Sequence, residues 1–427
     1  MKVLVVGAGG REHALSWKIS QSTLVTSVFV APGNGGTELE DHLTNVDIQA
    51  DDIEGLASFA LEQGIDLTIV GPEDPLVNGI TDRFNDLGLK CFGPSKGAAQ
   101  LEGSKEFMKD FLQRHHIPTA EYSSFSDTER AIEYVEQKGC PIVIKADGLA
   151  AGKGVTIAHT VEEAKEAIYQ SLESKVFGEA GKKIVIEEFL DGEEASFIVM
   201  TDGTNVIPFA SSQDHKALED NDKGPNTGGM GAYSPAPIVD EYVHEKIMNE
   251  IIFPTLKGLR KDGYKYCGFL YAGMMIDKNK KLKVLEFNCR FGDPETQPIM
   301  MRLKSDLASL CDQACDDNLI EQPLEWDSRK AIGVVLAARG YPHGYAKGKD
   351  ITNIPSEKDD LKIFHAGTKI ESNSLKSNGG RVLCVTSLGD SVESAQNKAY
   401  DAISEIEWED AFYRKDIGYR AIERERK

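Results

Sequence analysis

The sequence predicts a multidomain α/β and α+β protein: an N-terminal doubly wound parallel sheet, a central module of paired strands and glycine-rich loops, and a small C-terminal α+β domain. Three observations carry this expectation. The chain has 427 residues, enough for roughly three domains. Up to Lys96, short apolar strands ending in Gly/Pro loops alternate with helical stretches, the pattern of parallel strands joined by helices. Near Arg329 a new pattern begins, with strands at Ile332–Ala337, Leu361–Phe364 and Arg381–Thr386 and a helix at Ser391–Ile406. The expected units are 1–101, 102–328 and 329–427, the middle one carrying a lid at about 123–193.

Composition narrows the function. Hydrophobic residues make up 41% and charged residues 27%, the balance of a soluble globular protein. No apolar run reaches the ~20 residues a membrane helix needs. The N-terminus enters a strand pattern directly, with no signal or transit peptide. A net charge of −21 argues against nucleic acid and anionic membranes as partners. An anionic substrate must then be held by local clusters of Lys, Arg or backbone N–H groups. The 7 cysteines include no C-x-x-C pair, so neither a disulfide framework nor a zinc ribbon is expected. Cys311 and Cys315 read as neighbours on one helix face. Scattered thiols suit a reducing cytoplasm.

In the first unit, Met1–Gly10 is a buried strand running into a glycine turn, and Arg11–Ser20 continues as a helix. Unpaired N–H groups converge where such a turn meets a helix, making a phosphate cradle. A dinucleotide fingerprint fails there. Gly7 and Gly9 fit, but Glu12 stands at the third glycine position, and Val28–Val30 leads into Ala31–Gly36 with no acid for a ribose diol. Leu67–Val70 and Leu89–Phe92 are further strands, with helices expected at Asp52–Gln63 and Leu76–Leu87. The four strand-end loops together form a candidate small-molecule site, although each alone reads as an ordinary turn.

In the middle unit, Ser104 can cap a helix whose apolar face is Phe107, Met108, Phe111 and Leu112. Lys105 then lies in the first turn, where the helix dipole disfavours a cation. It is either a surface residue or a partner for an anion at that end. A strand ending in Lys145 is followed by a loop with three glycines and Lys153, then by the strand Val155–Ala158. Such a loop can fold over a triphosphate, and Gly148–Gly154 is expected to order on nucleotide binding. It is not a P-loop, because Gly154 follows Lys153 where Ser or Thr is needed. Ile184–Leu190 reads as a strand that presents its backbone to an adenine edge, with Phe189 and Leu190 against the base, or as a plain edge strand. A carboxylate in the turn Asp191–Glu194 can take a ribose diol. Gln213–Lys216 and Gly224–Gly231 are a polar strand end and a second glycine-rich loop. His215 alone reads as structural.

Lys283–Gln297 is the richest stretch. It begins as a strand that should lie antiparallel to Tyr266–Ile276 across the turn Asp277–Lys280. Alternation puts Glu286 and Asn288 on one face, and a carboxylate with an amide oxygen suits a hard cation such as Mg²⁺. Arg290, Asp293 and Glu295 follow closely.

Gly9–Leu15, Pro32–Gly36, Gly71–Leu76, Lys145–Val155, Gly224–Gly231 and Asn288–Gln297 together resemble the phosphoribosylamine–glycine ligase family, ATP-grasp enzymes of purine synthesis. The resemblance runs over essentially the whole chain, down to Phe412–Gly418. It implies a central ATP-grasp fold and a two-step ligation. Glycine's carboxylate would attack the γ-phosphate of ATP, giving glycyl phosphate and ADP. The amine of 5-phosphoribosylamine would then displace phosphate, giving glycinamide ribonucleotide. It further implies phosphate contacts from Lys105, Lys145, Lys216 and Asn226, an adenine hinge of Glu187, Glu188, Phe189 and Leu190, and a ribose carboxylate in Glu194. Glu286 and Asn288 would hold Mg²⁺ or Mn²⁺, and Arg290 would meet the moving phosphoryl group. Asp293, Asp214 and Gln297 would serve the glycine and amine side. Gly9, Gly10, Asn34, Gly35, Gly36, Pro72 and Glu73 would form the phosphoribosylamine site.

One departure stands out. Related enzymes often carry a further acidic metal ligand on the preceding strand, and Leu270–Ile276 has no acid, which leaves the number of metal ions open. With no catalytic segment after residue 427, a stand-alone enzyme is expected. Its partners would be glycine, 5-phosphoribosylamine and ATP, with a monomeric chain and at most a transient contact with an upstream enzyme. The alternatives are another carboxylate–amine ligase or biotin carboxylase-like enzyme, and a non-catalytic nucleotide sensor. A sensor has no need of the set Lys145, Glu286, Asn288 and Arg290.

Overall fold

The computed structural model describes every residue except 150–153, 175, 177 and 427. Five parallel strands form the first sheet. Lys2–Gly7 is central, flanked by Ser27–Pro32 and Leu43–Asn45 on one side and by Leu67–Val70 and Cys91–Phe92 on the other. The chain winds outward one way and then the other, so the loops after Gly7 and Val70 bracket a crevice at the switch point. The short strand Leu43–Asn45 was not expected, since it carries one apolar residue and no alternation. The helix expected at Leu76–Leu87 is two, Glu73–Asn78 and Ile80–Asp86. Gly79 ends the first in a left-handed conformation (φ 96°), with its N–H bonded to the Pro75 and Leu76 carbonyls.

The second sheet is antiparallel, in the order Val206–Pro208, Glu193–Thr201, Gly268–Ile276 and Leu282–Asn288. The ladder slips by one residue at Gly273/Met274, which leaves Leu285 out of register. Its carbonyl instead accepts from Lys145 Nζ at 3.2 Å. A bulge beside the site thus ties two sheets together. A third sheet runs Tyr122–Phe125, Ile184–Glu188, Ile142–Ala146, Val155–Ala158 and has its own small core around Ile144, Ile168 and Ile186. Ile184–Glu188 lies inside it, between two partners, and is not an edge strand.

The C-terminal sheet runs Gln213–Asp214, Gly231–Ser234, Lys330–Ala338, Arg381–Gly389, Leu361–His365, with Ala411–Phe412 added to Lys330–Ala338. Two of its strands therefore come from the middle of the chain. The stretch read as a glycine loop is partly strand, since Lys223–Asn226 pairs with Ala217–Glu219. All 7 cysteines are free thiols. Among the described residues no helix is long and apolar enough to cross a membrane.

An ion pair at Glu40 and a hydrogen bond to the first helix join the N-terminal part to the C-terminal sheet. Lys362 is buried, and its ammonium lies 2.5 Å from both Glu40 and Glu357. The His365 N–H donates to His13 Nδ1 at 2.9 Å. That makes Nε2 the protonated nitrogen of a neutral His13, and it donates to Glu40 at 3.1 Å. Burial works to raise the Glu40 pKa, yet the bonds from His13 and Lys362 hold it at about 2 against an ordinary 4.5. An acid depressed in the folded state stabilises above its unfolded pKa and loses that contribution as pH falls through the folded one. Glu40→Gln is therefore expected to flatten the decline in stability between pH 4.5 and about 2, read from urea midpoints against pH. An unchanged slope would contradict this role.

Candidate functional site

Two cavities open where these sheets meet. The larger has a volume of about 500 Å³. Lys105, Lys145, Glu187, Glu188, Phe189, Leu190, Glu194, Lys216 and Asn226 line it, with Glu286, Asn288, Arg290, Asp293, Asp214 and Glu73. The structure thus gathers these residues from the second, third and C-terminal sheets, the strand pair Ala217–Glu219 and Lys223–Asn226, the helices that begin at Glu73 and Lys105, and the loop after Asn288. Lys153 lies outside the described residues.

Glu286 is the charge centre. Its Oε1 accepts from Lys216 Nζ at 3.0 Å. The charges of Lys216, then Lys145 and Lys105, overcome burial and hold its pKa at about 2. It is a carboxylate at any working pH, and Lys216 also pairs with Glu194. Asn288 ends the same strand, two residues on, and both line the cavity as alternation requires. An ionised carboxylate that already carries a cation at 3.0 Å, with an amide oxygen beside it, fits a hard divalent ion. Among the described residues no cluster of three or more His, Cys, Asp or Glu is placed to hold a metal by itself.

Lys145 is fixed from behind. Glu187 is 2% exposed, and its carboxylate lies 2.9 Å from both Lys145 and Lys109. Burial would raise its pKa, but the two ammoniums keep it below the usual carboxylate range. Its side chain therefore orients Lys145, which leaves backbone and neighbours to contact a base. Glu188 similarly pairs with Lys283. Phe189 is 38% exposed, and with Leu190, Val143, Val155, Ile157 and Met275 it lines an apolar end of the cavity. Such a slot suits a flat ring.

Ser104 caps the helix Lys105–Arg114 as expected, accepting from the Phe107 N–H at 3.1 Å. Asp147 accepts from the Glu106 N–H at 2.7 Å and supplies the negative charge that the helix terminus favours. Lys105 donates to the Gly148 carbonyl at 3.1 Å, and burial lowers its pKa. Arg290 is clamped by Glu73 at 3.1 Å and by Glu102 at 2.8 Å. Asp293 Oδ2 meets Arg381 at 2.8 Å, and Oδ1 accepts from Gln297 at 2.9 Å. Burial raises the Asp214 pKa well above its ordinary value, and the neighbouring Glu295 charge adds to it. Its Oδ1 is buried with no hydrogen-bond partner among the described residues.

The smaller cavity, about 340 Å³, is lined by Gly9, Asn34 and Asp293, and by Tyr341, Thr368, Asn378 and Arg381. Asn34 organises it, donating to the Ala8 and His365 carbonyls at 2.9 Å and accepting from the Gly36 N–H at 2.8 Å. Gly10, Gly35, Gly36, Pro72 and Gln297 line neither cavity. An added Cβ on Gly10 would meet Gln297, on Gly35 the Thr368 loop, and on Gly36 both His13 and His365. Pro72 precedes the helix Glu73–Asn78. Glu12 folds back to accept the Gly9 N–H at 2.6 Å, and an added Cβ on Gly7 would lie 2.4 Å from its side chain. The turn that a dinucleotide pyrophosphate would use is thus filled.

Sequence reasoning missed Glu102, Lys109, Arg11, Glu295, Tyr341 and Arg381 as site residues. Arg11 and Glu295 lie inside recognised motifs, Gly9–Leu15 and Asn288–Gln297, but had no role assigned there. The Gly-Gly-Arg run at 379–381 carried a usable signal. Gly379 and Gly367 approach so closely that a Cβ on Gly367 would lie 2.5 Å from the Gly379 Cα, and this brings Arg381 to the site.

Comparisons with known proteins agree along the chain. Family models match for the phosphoribosylglycinamide synthetase N domain at residues 1–102, its ATP-grasp (A) domain at 103–296 and its C domain at 331–420. A phosphoribosylamine–glycine ligase of Escherichia coli K12 is 61% identical over 427 residues, covering 100% of both chains. One from Vibrio vulnificus is 60% identical, covering 100% of this chain and 99% of its own. The crystal structure of phosphoribosylamine–glycine ligase from Thermotoga maritima superposes with a TM-score of 0.86 at 34% identity, covering 98% of this chain and all of its own. A biotin carboxylase from Campylobacter jejuni reaches 0.75 at 16% identity, covering 99% of this chain and 95% of its own, a likeness of fold alone.

Proposed function

The chain belongs to the phosphoribosylglycinamide synthetase family, and from that premise we propose the chemistry of its two cavities. The protein ligates glycine to 5-phosphoribosylamine at the expense of ATP, giving glycinamide ribonucleotide, ADP and phosphate for purine synthesis. The larger cavity takes ATP and glycine, and the smaller takes the amine. Units 1–101 and 329–427 hold the amine, and 102–328 carries the nucleotide.

The observation that carries this reading is the ionised Glu286, bonded to Lys216 and under the charges of Lys145 and Lys105, in one cavity with the apolar residues around Phe189. The three ammoniums receive the phosphates, and the slot receives the base. Glu286 and Asn288 would hold Mg²⁺ or Mn²⁺, which supplies charge neutralisation on the phosphates when bound. Lys216, which bonds both Glu286 and Glu194, is placed to turn to phosphate oxygens, which would leave Glu194 for the ribose. Arg290, immobilised by Glu73 and Glu102, presents its remaining N–H groups to the transferring phosphoryl group. Asp214 and Glu295, two carboxyls that repel in a buried setting, are suited to glycine's ammonium.

An ADP-release assay with glycine and freshly generated phosphoribosylamine, each omitted in turn, tests the reading. Full release is expected only with both. Activity with bicarbonate and none with this pair would favour the carboxylase reading.

A further inference from the structure

Three residues, Asp293, Tyr341 and Arg381, line both cavities. Arg381 opens the strand Arg381–Gly389. Its guanidinium donates to the Gly228 carbonyl at 2.6 Å, the Gly229 carbonyl at 3.3 Å, the Asp293 carbonyl at 2.6 Å and Asp293 Oδ2 at 2.8 Å. The Tyr341 hydroxyl accepts from the Gly228 N–H at 3.0 Å. One cation and one hydroxyl from the C-terminal part thus clamp the Gly228–Gly229 turn to the Asp293 loop, at the boundary between the cavities. The clamp leaves no slack. A Cβ on Gly228 would lie 3.1 Å from the Arg381 guanidinium carbon and 3.2 Å from the Tyr341 oxygen.

A two-step ligation makes a demand on such a boundary. An acyl phosphate formed in one cavity must meet an amine in the other before it meets water. In the productive path the amine nitrogen forms a bond to the carbonyl carbon, the bond from that carbon to the phosphate oxygen breaks, and phosphate leaves with the electron pair. The amine proton passes to solvent. In the wasteful path a water oxygen attacks the same carbon, and the products are glycine and phosphate. Both paths consume one ATP, and only the first yields amide.

We propose that Arg381 and Tyr341 are positioning residues of the partition between the two cavities, holding the Gly228–Gly229 turn and Asp293 so that the acyl phosphate faces the amine instead of water. This rests on the ligase reading above. Four acceptors arranged around one planar guanidinium cannot be matched by the point charge of lysine. Removing the Tyr341 hydroxyl loosens one bond and keeps the ring.

The test is the ratio of ADP to amide formed by the full chain with ATP, glycine and phosphoribosylamine. The wild-type protein is expected to release one ADP per amide. Arg381→Lys is expected to raise that ratio on the order of tenfold through misplacement of the reacting groups. Tyr341→Phe should raise it about twofold through loss of one hydrogen bond. A residue with only a structural role would lower both product rates together, so a ratio that stays at one in folded Tyr341→Phe and Arg381→Lys overturns the proposal. If Arg381→Lys does not fold, the isosteric Tyr341→Phe decides alone. Absence of ADP release by the wild-type protein with these substrates would sink the ligase reading first, and this proposal with it.

Discussion

Glu286→Ala is expected to lower turnover by on the order of 10³-fold, about 4 kcal/mol of transition-state stabilisation. The site is built around this one negative charge. Lys216, Lys145 and Lys105 all act on it, and it stays ionised with a pKa of about 2 despite its burial. Its removal would delete one of the two side chains proposed to hold the cation. It also leaves three ammoniums less neutralised, and Lys105, whose pKa burial already lowers, loses the Glu286 charge that raises it. Glu286→Gln keeps the shape and should fall almost as far, because the charge is what matters. Steady-state rates checked beside thermal midpoints separate this from unfolding. Wild-type turnover in folded Glu286→Ala would remove the proposed metal role.

Arg290→Met should be costly in both stability and rate. Arg290 lies between Glu73 and Glu102, and its side chain is 16% exposed. Losing one member of a buried ion pair leaves a carboxylate without its partner, at a typical cost of about 3–5 kcal/mol. Burial already raises the Glu102 pKa, and only Arg290 among its largest influences outside the Cys289 bonds pulls it down. Without that arginine the pKa rises further. An acid raised in the folded state binds a proton that the unfolded chain has released, so stability falls as pH rises between the two values. The variant should therefore recover part of its lost stability on acidification, seen as denaturant midpoints that rise as pH falls. A midpoint equal to wild type at neutral pH would mean that Glu102 and Glu73 are held by other groups.

Much of the site was legible because its chemistry lies on regular elements. Glu286 and Asn288 share a face through strand alternation alone, and the Ser104 cap follows from local composition. The doubly wound first sheet followed from repeated strand, loop and helix. What stayed hidden depends on distant partners. The Glu187 carboxylate turns inward because Lys109 and Lys145 approach from another helix and another strand. Glu102 reaches Cys289 across 187 residues, and Arg381 reaches Asp293 across 88. The one-residue slip that frees the Leu285 carbonyl depends on its partner strand. The break at Gly79 carried a visible glycine, but an isolated glycine inside an apolar pattern does not by itself fix a helix end.

In the proposed reaction, glycine's carboxylate becomes an acyl phosphate in the larger cavity before the amine attacks. Glycine labelled with ¹⁸O in both carboxylate oxygens, turned over with unlabelled ATP and water, tests it by mass spectrometry of the released phosphate. One ¹⁸O is expected in each phosphate, because the carboxylate oxygen that attacks the γ-phosphate leaves with it when the amide forms. Phosphate free of label, with amide still produced, would contradict it.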